Sequence, residues 1–151
     1  GQALALLAIG FFLGSGRFDW RAREQGGVAV AMASDVGGGT SLSMQRTLAD
    51  AYKVQALRGQ RLTAWVALHA ATRGAAQALG LAHEIGSFDA GCCADVCVWD
   101  WARGAVAERR DALATALHER VFAWMMLADE RNLVSARVAG VERFRRGAQG
   151  S

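Results

Sequence analysis

The residue of this chain whose type and position best suit chemistry is Asp35. It follows the strongly apolar run VAVAMA (residues 28–33) and one serine, and the sequence continues as VGGGT. A carboxylate at the C-terminal end of a buried strand lies where enzymes built from parallel strands and helices place catalytic groups, and three glycines leave room for a substrate beside it. Asp35 is therefore a candidate metal ligand that also accepts a proton from a metal-bound water.

Two other interpretations of this segment come from the same residues. Aspartate favours turns because its carboxylate accepts hydrogen bonds from nearby backbone N–H groups, and composition alone favours Asp35 as the cap of the glycine turn. The GGGT loop could instead bind a phosphate at the N-terminus of the next helix. It lacks the Gly-Lys-Ser/Thr ending of a P-loop, and the chain contains no GxGxxG, so the phosphate interpretation is weak.

The histidines and cysteines show no metal-binding spacing. None of the histidines occurs in an HxH or HExxH pattern, so ligand roles are disfavoured for His69, His83 and His118, and His69 is expected to be a hydrogen-bonded core residue. The three cysteines fall within six positions and include no CxxC pair, which disfavours a zinc knuckle. We expect buried, reduced thiols at Cys92, Cys93 and Cys97, consistent with a cytoplasmic protein.

The elements that would position Asp35 follow from apolar periodicity and turn residues. The run FDWRARE (residues 18–24) predicts a short helix between glycines, and residues 28–33 predict a strand buried on both faces in a parallel sheet. Thr40 or Ser41 can cap a helix that continues to about residue 57 and ends at Gly59. Thr63 can cap a helix over residues 64–79 that ends at Gly80. The buried face of that helix is predicted to comprise Leu62, Trp65, Val66, His69, Ala76 and Leu79.

The second half of the chain has a different character. IGSFDAGCCADVCVWD predicts a β-turn-β unit with Asp89 and Gly91 in the turn and a strand over residues 95–100. Residues 110–128 predict a helix, and residues 134–144 a closing strand pair around Ala139–Gly140. The apolar stripe of the helix is expected to comprise Leu113, Leu117, Val121, Trp124 and Met125.

Composition excludes several classes of protein. The 151 residues are 52% hydrophobic and 21% charged, which indicates a globular domain and excludes a disordered chain. The net charge is only +3 and the arginines are scattered, so no nucleic-acid partner is expected. The apolar start GQALALLAIGFFL is shorter than the roughly 20 residues of a membrane span and lacks a basic n-region, so it predicts a buried strand or helix and no membrane association.

Several segments together resemble a known family. FLGSGRFDW, VAMASDVGGGTSLSM, LTAWVALHAATRGAAQALGL, IGSFDAGCCADVCVWD and ERVFAWMMLADERN are similar, in this order, to the C-terminal third of bacterial guanine deaminases, which belong to the metal-dependent amidohydrolase superfamily. The similarity runs from about Phe12 to Phe144. SDVGGGTSLSM and FAWMMLADERN are specific to the guanine deaminases, whereas the pattern GSxxxGxxADxxxxD is general to the superfamily.

This resemblance implies an α/β fold, in which the last strand–helix units of a (β/α)8 barrel are followed by part of a small β-sandwich. Residues 1–82 would form the end of the barrel, residues 83–144 the sandwich portion with one helix, and residues 145–151 a disordered tail. Asp35 matches the aspartate that binds zinc and shuttles the proton of the hydrolytic water. The implied reaction is deamination of guanine, or a related cyclic amidine, in a cytoplasmic homodimer.

The chain departs from the family pattern in ways that limit this expectation. Residues 1–11 do not follow the pattern, Cys92 stands in place of a common lysine, and Ala128 stands in place of a glycine. The other metal ligands and the catalytic glutamate have no counterpart here, so the zinc site is incomplete. We therefore expect a fragment of a longer enzyme, inactive alone, with the rest of the barrel encoded upstream of Gly1.

Two alternatives to a guanine deaminase remain at this stage. One is another aminohydrolase that acts on a cyclic amidine such as a triazine, a pterin or cytosine. The other is a non-catalytic fragment that assembles with a complementary chain through strand edges and the apolar segment VFAWMML (residues 121–127).

Overall fold

The computed structural model describes residues 4–7, 18–34 and 41–147, and of residues 4–7 it describes the backbone alone. In the first half of the chain the elements are, in order, β1 (Leu4–Leu7), α1 (Trp20–Gln25), β2 (Ala29–Met32), α2 (Met44–Leu57), α3 (Ala64–Ala71) and α4 (Arg73–Ala78). In the second half they are β3 (Val96–Trp99), α5 (Ala105–Ala112), α6 (Leu117–Leu127), β4 (Leu133–Val138) and β5 (Val141–Arg145). The chain is thus a mixed α/β fold, as predicted.

Strands β1 and β2 lie side by side and run in the same direction, with Leu4 opposite Ala29 and Leu7 opposite Met32. Parallel strands need a crossover, which here includes α1. This arrangement confirms the parallel strand predicted over residues 28–33. Because parallel strands are covered on both faces, β2 can be apolar without alternation, and its last two residues, Ala31 and Met32, are buried.

Helix α1 begins at Trp20 because Asp19 caps it. The Asp19 carboxylate accepts a hydrogen bond from Ala22 N at 3.0 Å. The helix ends at Gly26, and Gly27 adopts a φ of 71°, which a residue with a side chain rarely adopts. The predicted short helix is therefore confirmed, and its glycine end turns the chain directly into β2.

The apolar core lies where β2 meets α2, α3 and α6. Its buried members come from these four elements, from α1 and from the segment before α3: Trp20, Met32, Leu48, Ala51, Leu62, Ala64, Ala67, Ala70, Val121 and Met125. Leu48 and Met125 are almost completely shielded from solvent. The part of VFAWMML that packs inward, Val121 and Met125, thus belongs to the core of this chain.

The buried face of α3 differs from the prediction. Alanines at positions 64, 67 and 70 face the core, whereas Trp65 is 50% exposed and Val66 40%. A face of methyl groups lets the helix lie close to its neighbours, because each alanine occupies little space and loses no side-chain entropy. The large side chains of Trp65, Val66 and Leu79 were predicted to lie in the core; all three are exposed, so this part of the prediction is wrong.

The helix predicted over residues 64–79 is divided at Thr72. The Thr72 hydroxyl donates a 2.7 Å hydrogen bond to Leu68 O, a bond to the preceding turn that bends helices. The second part, α4, also contacts Gly86, whose φ is 88°. A Cβ atom at Gly86 would lie 2.8 Å from the Cβ of Ala76, so only glycine allows this close approach.

The second half of the chain forms an antiparallel sheet in the order β3–β4–β5. The predicted strand after Asp95 and the closing pair around Ala139–Gly140 are confirmed. Both turn residues have positive φ, 50° and 77°, which suits the tight hairpin turn that matches strand twist. The first strand of the predicted β-turn-β unit is not formed, because residues 83–92 make turns instead.

The single helix predicted over residues 110–128 is two helices, α5 and α6, so this prediction is wrong. The cause is Glu119, whose carboxylate accepts hydrogen bonds from the backbone N–H groups of Thr115 and Ala116 and starts a new helix. Consequently Leu113 and Leu117 are exposed rather than part of the apolar stripe. Arg120 bridges the break through a bidentate contact with Asp111, at 2.8 and 2.9 Å.

The end of the described chain is more ordered than a frayed tail from residue 145 would be. Arg145 belongs to β5, and the Arg146 guanidinium donates a 2.6 Å hydrogen bond to the Asp100 carboxylate. No helix among the described residues has the length and apolarity that crossing a membrane requires.

Candidate active-site edge at the carboxyl ends of the parallel strands

The parallel register brings the carboxyl ends of β1 and β2 to one edge of their sheet. Leu7 and Met32 are paired at this edge, and the half-buried Ala33 and Ser34 follow β2. Asp35 comes next and lies outside the described residues, as do the glycines and Thr40. We call the stretch from Ala33 to Ser43 the candidate edge; of this stretch the structure describes residues 33–34 and 41–43.

The strand that leads to Asp35 is fixed by the core. Met32 is 4% exposed and belongs to the buried cluster, together with Leu48 from α2 and Met125 from α6. A rigid strand end positions a following side chain more accurately than a free loop does. The packing of β2 therefore meets one requirement of the predicted catalytic position.

On the other side of residues 35–40, residues 41–43 form a hydrogen-bonded turn before α2. The Ser41 hydroxyl accepts a 3.0 Å hydrogen bond from Ser43 N, and the Ser43 hydroxyl donates to the Gln45 side-chain oxygen at 3.2 Å. The residue before the helix is thus Ser43, and the predicted cap at Ser41 is wrong because its hydroxyl is used inside the turn. Gln45 and Thr47 are buried polar residues of the first turn of α2.

A second polar contact connects α2 with the segment before α1. Gln55 is 1% exposed; its side-chain nitrogen donates to Phe18 O at 2.9 Å, and its oxygen accepts from Trp20 N at 3.3 Å. Buried amides need partners because an unpaired one costs about 1–3 kcal/mol. The role of Gln55 was not predicted from the sequence, where its only signal is a glutamine between the apolar positions of an otherwise amphipathic helix.

Asp19, at the start of α1, also connects this segment to the end of α2 and the residues that follow it. Its carboxylate accepts hydrogen bonds from the Gln60 side chain at 2.8 Å and from Ala22 N, and it pairs with Arg58. These contacts, the one from Gln60 foremost, lower the pKa of Asp19 to about 2. The carboxylate is therefore charged throughout the physiological range and serves structure.

The histidines do not gather at the candidate edge. His69 is exposed, so the expected core histidine is wrong; its ring lies against Gly74, where an added Cβ would be 2.9 Å from it. His83 pairs with Glu84 at 3.1 Å, and His118 is exposed on the first turn of α6. Across residues 18–34 and 41–147, no three His, Cys, Asp or Glu side chains are placed to hold a metal ion together.

The cysteines are free, as predicted, but they are not buried. Cys93 and Cys97 are exposed, and Cys92 is half-buried with its thiol 3.5 Å from the Ser87 hydroxyl. The expectation of buried thiols is wrong because residues 83–92 form turns rather than a strand, and the Cys97 position of β3 is exposed. Although Cys97 as a residue is exposed, desolvation of its thiol and the nearby Asp95 raise the pKa of that thiol, which favours the neutral form.

A groove of about 870 Å³ lies at the opposite end of β2 from the candidate edge. It is lined by the amino end of the strand, including Val28, by α4, and by His69 and His83. In barrels of parallel strands, chemistry occurs at the carboxyl ends, and the other end serves stability. The groove therefore lies at the end of the strand where catalysis is not expected, and Asp35 remains the candidate site residue.

Comparison with known proteins decides the family. The sequence profile of the Amidohydrolase family matches residues 8–141. The chain belongs to the amidohydrolase family. It is 38% identical over 129 residues to the guanine deaminase of Escherichia coli (strain K12), a match that covers 85% of this chain and 29% of that protein. The chain thus spans less than a third of the length of this relative.

Solved structures show the same relationship in three dimensions. The fold superposes on E. coli guanine deaminase with a TM-score of 0.88 at 36% identity, covering 92% of this chain and 33% of that one. Guanine deaminase from Bradyrhizobium japonicum gives a TM-score of 0.84 at 26% identity, covering 96% and 38%. An adenosine deaminase from Xanthomonas campestris with bound zinc shares the fold, with a TM-score of 0.77, 21% identity and coverage of 94% and 32%.

Proposed function

We propose that this chain provides part of a guanine deaminase, which hydrolyses guanine to xanthine and ammonia. The proposal rests on one observation above all: a chain that is 38% identical to a guanine deaminase also superposes on one with a TM-score of 0.88. The segment SDVGGGTSLSM, which resembles that family specifically, lies at the candidate edge. Related aminohydrolases for other cyclic amidines remain the alternative substrate class.

We propose Asp35 as the catalytic residue of this chain and as one ligand of a zinc ion. Zinc is the ion present in the Xanthomonas adenosine deaminase of the same fold. When bound, zinc lowers the pKa of its water to near 7. The carboxylate oxygen of Asp35 would take up the proton of that water and return it to the departing nitrogen. Asp35 would be positioned by β2, because the strand ends at the buried Met32 only three residues before it.

The donor set within the described residues does not fit a complete zinc site. No group of three donors is formed there, and zinc is held by at least three protein ligands in catalytic sites. Asp35 is therefore proposed as a single donor, with the remaining donors outside the described part of the chain. We expect this 151-residue chain alone not to convert guanine.

The larger architecture is proposed on the same basis. Strands β1 and β2, with α1 between them, would be the last strands of a (β/α)8 barrel within residues 1–82, and the sheet β3–β5 would be part of a small β-sandwich within residues 83–144. Parallel order in the first sheet and antiparallel order in the second support this division. A cytoplasmic homodimer is proposed from the family resemblance.

The function can be tested in a chimaera. Residues 12–144 of this chain would replace the corresponding region of E. coli guanine deaminase, and the purified protein would be assayed with guanine, cytosine and a pterin. We expect release of xanthine and ammonia from guanine and no more than trace turnover of the other two. Preferential deamination of cytosine or the pterin, in a chimaera that binds zinc, would reject guanine as the substrate class of this segment.

A further inference from the structure

A second cavity lies apart from β2 and from the candidate edge. Its volume is about 580 Å³, within the range of roughly 300–1,000 Å³ that is typical of small-molecule sites. It is partly open to solvent and is bordered by α2, by the start of α3 and by the ends of α5 and α6 that face each other across their break. Tyr52 and Phe122 form one wall as an edge-to-face pair with ring centroids 5.0 Å apart.

Two solvent-exposed arginines, Arg61 and Arg110, line this cavity. Within residues 18–34 and 41–147, neither Arg61 nor Arg110 forms an ion pair or a side-chain hydrogen bond. The carboxylate next in sequence to Arg110 is not available to it, because Asp111 is bound by Arg120 at 2.8 Å. The cavity therefore presents two guanidinium groups, the group best suited to bidentate binding of phosphate.

The acidic residue of the cavity, Glu119, uses one of its two carboxylate oxygens in hydrogen bonds at the start of α6. Glu119 accepts hydrogen bonds from the N–H group and hydroxyl of Thr115 and from Ala116 N, through one carboxylate oxygen. These bonds, the one from Thr115 N first, lower the pKa of Glu119, so it is charged and held towards the helix start. Its single negative charge is outweighed by Arg61 and Arg110, and an anion is favoured in the cavity.

An aromatic surface lies beside these arginines. Trp65, which also lines the cavity, is 50% exposed although it is the largest side chain of α3. An exposed indole offers a flat apolar face on which a planar ring can stack. Base–aromatic stacking is tolerant of the identity of the base, because every base has a π-face.

We propose that this cavity binds a nucleoside monophosphate, with its phosphate on Arg61 and Arg110 and its base against Trp65. The proposal does not depend on guanine deamination, because none of these residues belongs to the candidate edge. It assigns the cavity to a ligand that combines a compact dianion with a planar ring, since the two guanidinium groups and the indole line the same space.

Calorimetric titration of this chain tests the proposal with three probes: adenosine 5′-monophosphate, adenosine and inorganic phosphate. We expect the monophosphate to bind at least about tenfold more tightly than either inorganic phosphate or adenosine, since it makes both the charged and the stacking contacts. No heat of binding at millimolar monophosphate would reject the site. Equal affinity for the monophosphate and inorganic phosphate would reject the contact with Trp65.

Three variants locate the binding. Arg61→Gln and Arg110→Gln should each weaken the monophosphate at least about tenfold, because each removes a charge-assisted contact to phosphate. Trp65→Leu should weaken the monophosphate and leave inorganic phosphate unchanged. Arg109→Gln is the matched control: it removes a charge from the same turn of α5 at a residue that does not line the cavity, and it should bind as the parent does. Circular dichroism melts verify that each variant is folded, and arginine variants that match Arg109→Gln would overturn the proposal.

Discussion

Two regions of this chain are stabilised in different ways. The region of β2, α1–α4 and α6, which we call the packed region, buries an apolar cluster that includes Leu48 and Met125. The antiparallel sheet β3–β5 is far more open: every residue of β5 is exposed, and Phe144 is 44% exposed. The packed region includes β2, whose last residue Met32 is buried, so apolar burial fixes the end of the strand that precedes the candidate edge.

The antiparallel sheet depends instead on directed polar contacts. The buried Asn132 donates to Asp100 O at 3.1 Å, the Asp95 carboxylate accepts from Ala139 N at 2.7 Å, and Arg146 reaches Asp100. The two regions meet through an edge-to-face contact of Trp99 and Trp124, 5.6 Å between centroids. Because the two regions are stabilised differently, loss of a core side chain should destabilise several helices, whereas loss of a polar contact should affect only the neighbouring strands.

The largest effect should follow from a cavity in the packed region. Met125→Ala removes a fully buried side chain and should lower the free energy of unfolding by about 2–5 kcal/mol, as large-to-small core changes do. Urea unfolding measures the loss, and native-state hydrogen exchange should show faster exchange in α2, α3 and α6. Met126→Ala, at a half-buried neighbour, is the control and should cost less. Equal losses for the two variants would contradict the assignment of the core.

A smaller and more local effect is expected in the antiparallel sheet. Asn132→Ala leaves Asp100 O and Asp129 N without their side-chain partner, and we expect a loss of about 1–3 kcal/mol. Because this residue is outside the apolar cluster, exchange should accelerate in β3 and β4 and remain slow in α2. Acceleration in α2 equal to that of Met125→Ala would show that the two regions are not distinct.

A still smaller effect should follow from removal of the Arg146 contacts. This side chain bonds Asp100 and Arg131 O but is partly exposed, so Arg146→Ala should cost about 1 kcal/mol or less, and less again in high salt. Arg143→Ala, an exposed arginine of β5, supplies the control and should leave the unfolding midpoint in place. If Arg146→Ala lowered the free energy of unfolding more than Asn132→Ala does, the exposed ion pair would matter more than the buried amide, contrary to this prediction.

The smallest effect concerns pH. The pKa of Asp19 is lowered to about 2, so its contribution to stability is present above the unfolded-state value near 3.8 and is lost as the pH falls through about 2. Asp19→Asn should therefore reduce the difference in stability between pH 5 and pH 2, measured by urea unfolding at each pH. Asp50→Asn, which removes only an exposed contact with Lys53, should keep that difference. An unchanged difference in Asp19→Asn would reject the role assigned to the Gln60 and Ala22 contacts.

Strong local patterns predicted much of the fold. The uninterrupted apolar run before Asp35 predicted a parallel strand, and glycines marked the ends of α1 and α4. The sequence did not reveal that α3 packs through alanines, because apolar periodicity gives a tryptophan at position 65 more weight than a methyl group. Nor did it reveal the break at Thr72, which depends on a hydroxyl bond within the helix and on the contact of α4 with Gly86.

The candidate site was predictable to a lesser extent. Asp35 is one carboxylate, and a metal site is recognised by a group of donors that the pattern of this chain does not contain. Its role stays a prediction that rests on the family resemblance. The buried Gln55, which connects α2 to the segment before α1, could not be inferred, because its partners are backbone atoms more than thirty residues away.

Substitution of Asp35 in the chimaera with E. coli guanine deaminase tests the central claim most directly. We predict that Asp35→Asn lowers kcat for xanthine formation by at least about 100-fold, the usual contribution of a positioned acid–base group, and that it lowers the bound zinc per chain. Asp50→Asn, made in the same protein, should retain both activity and zinc. Guanine turnover and zinc content in Asp35→Asn equal to those of Asp50→Asn would contradict the account.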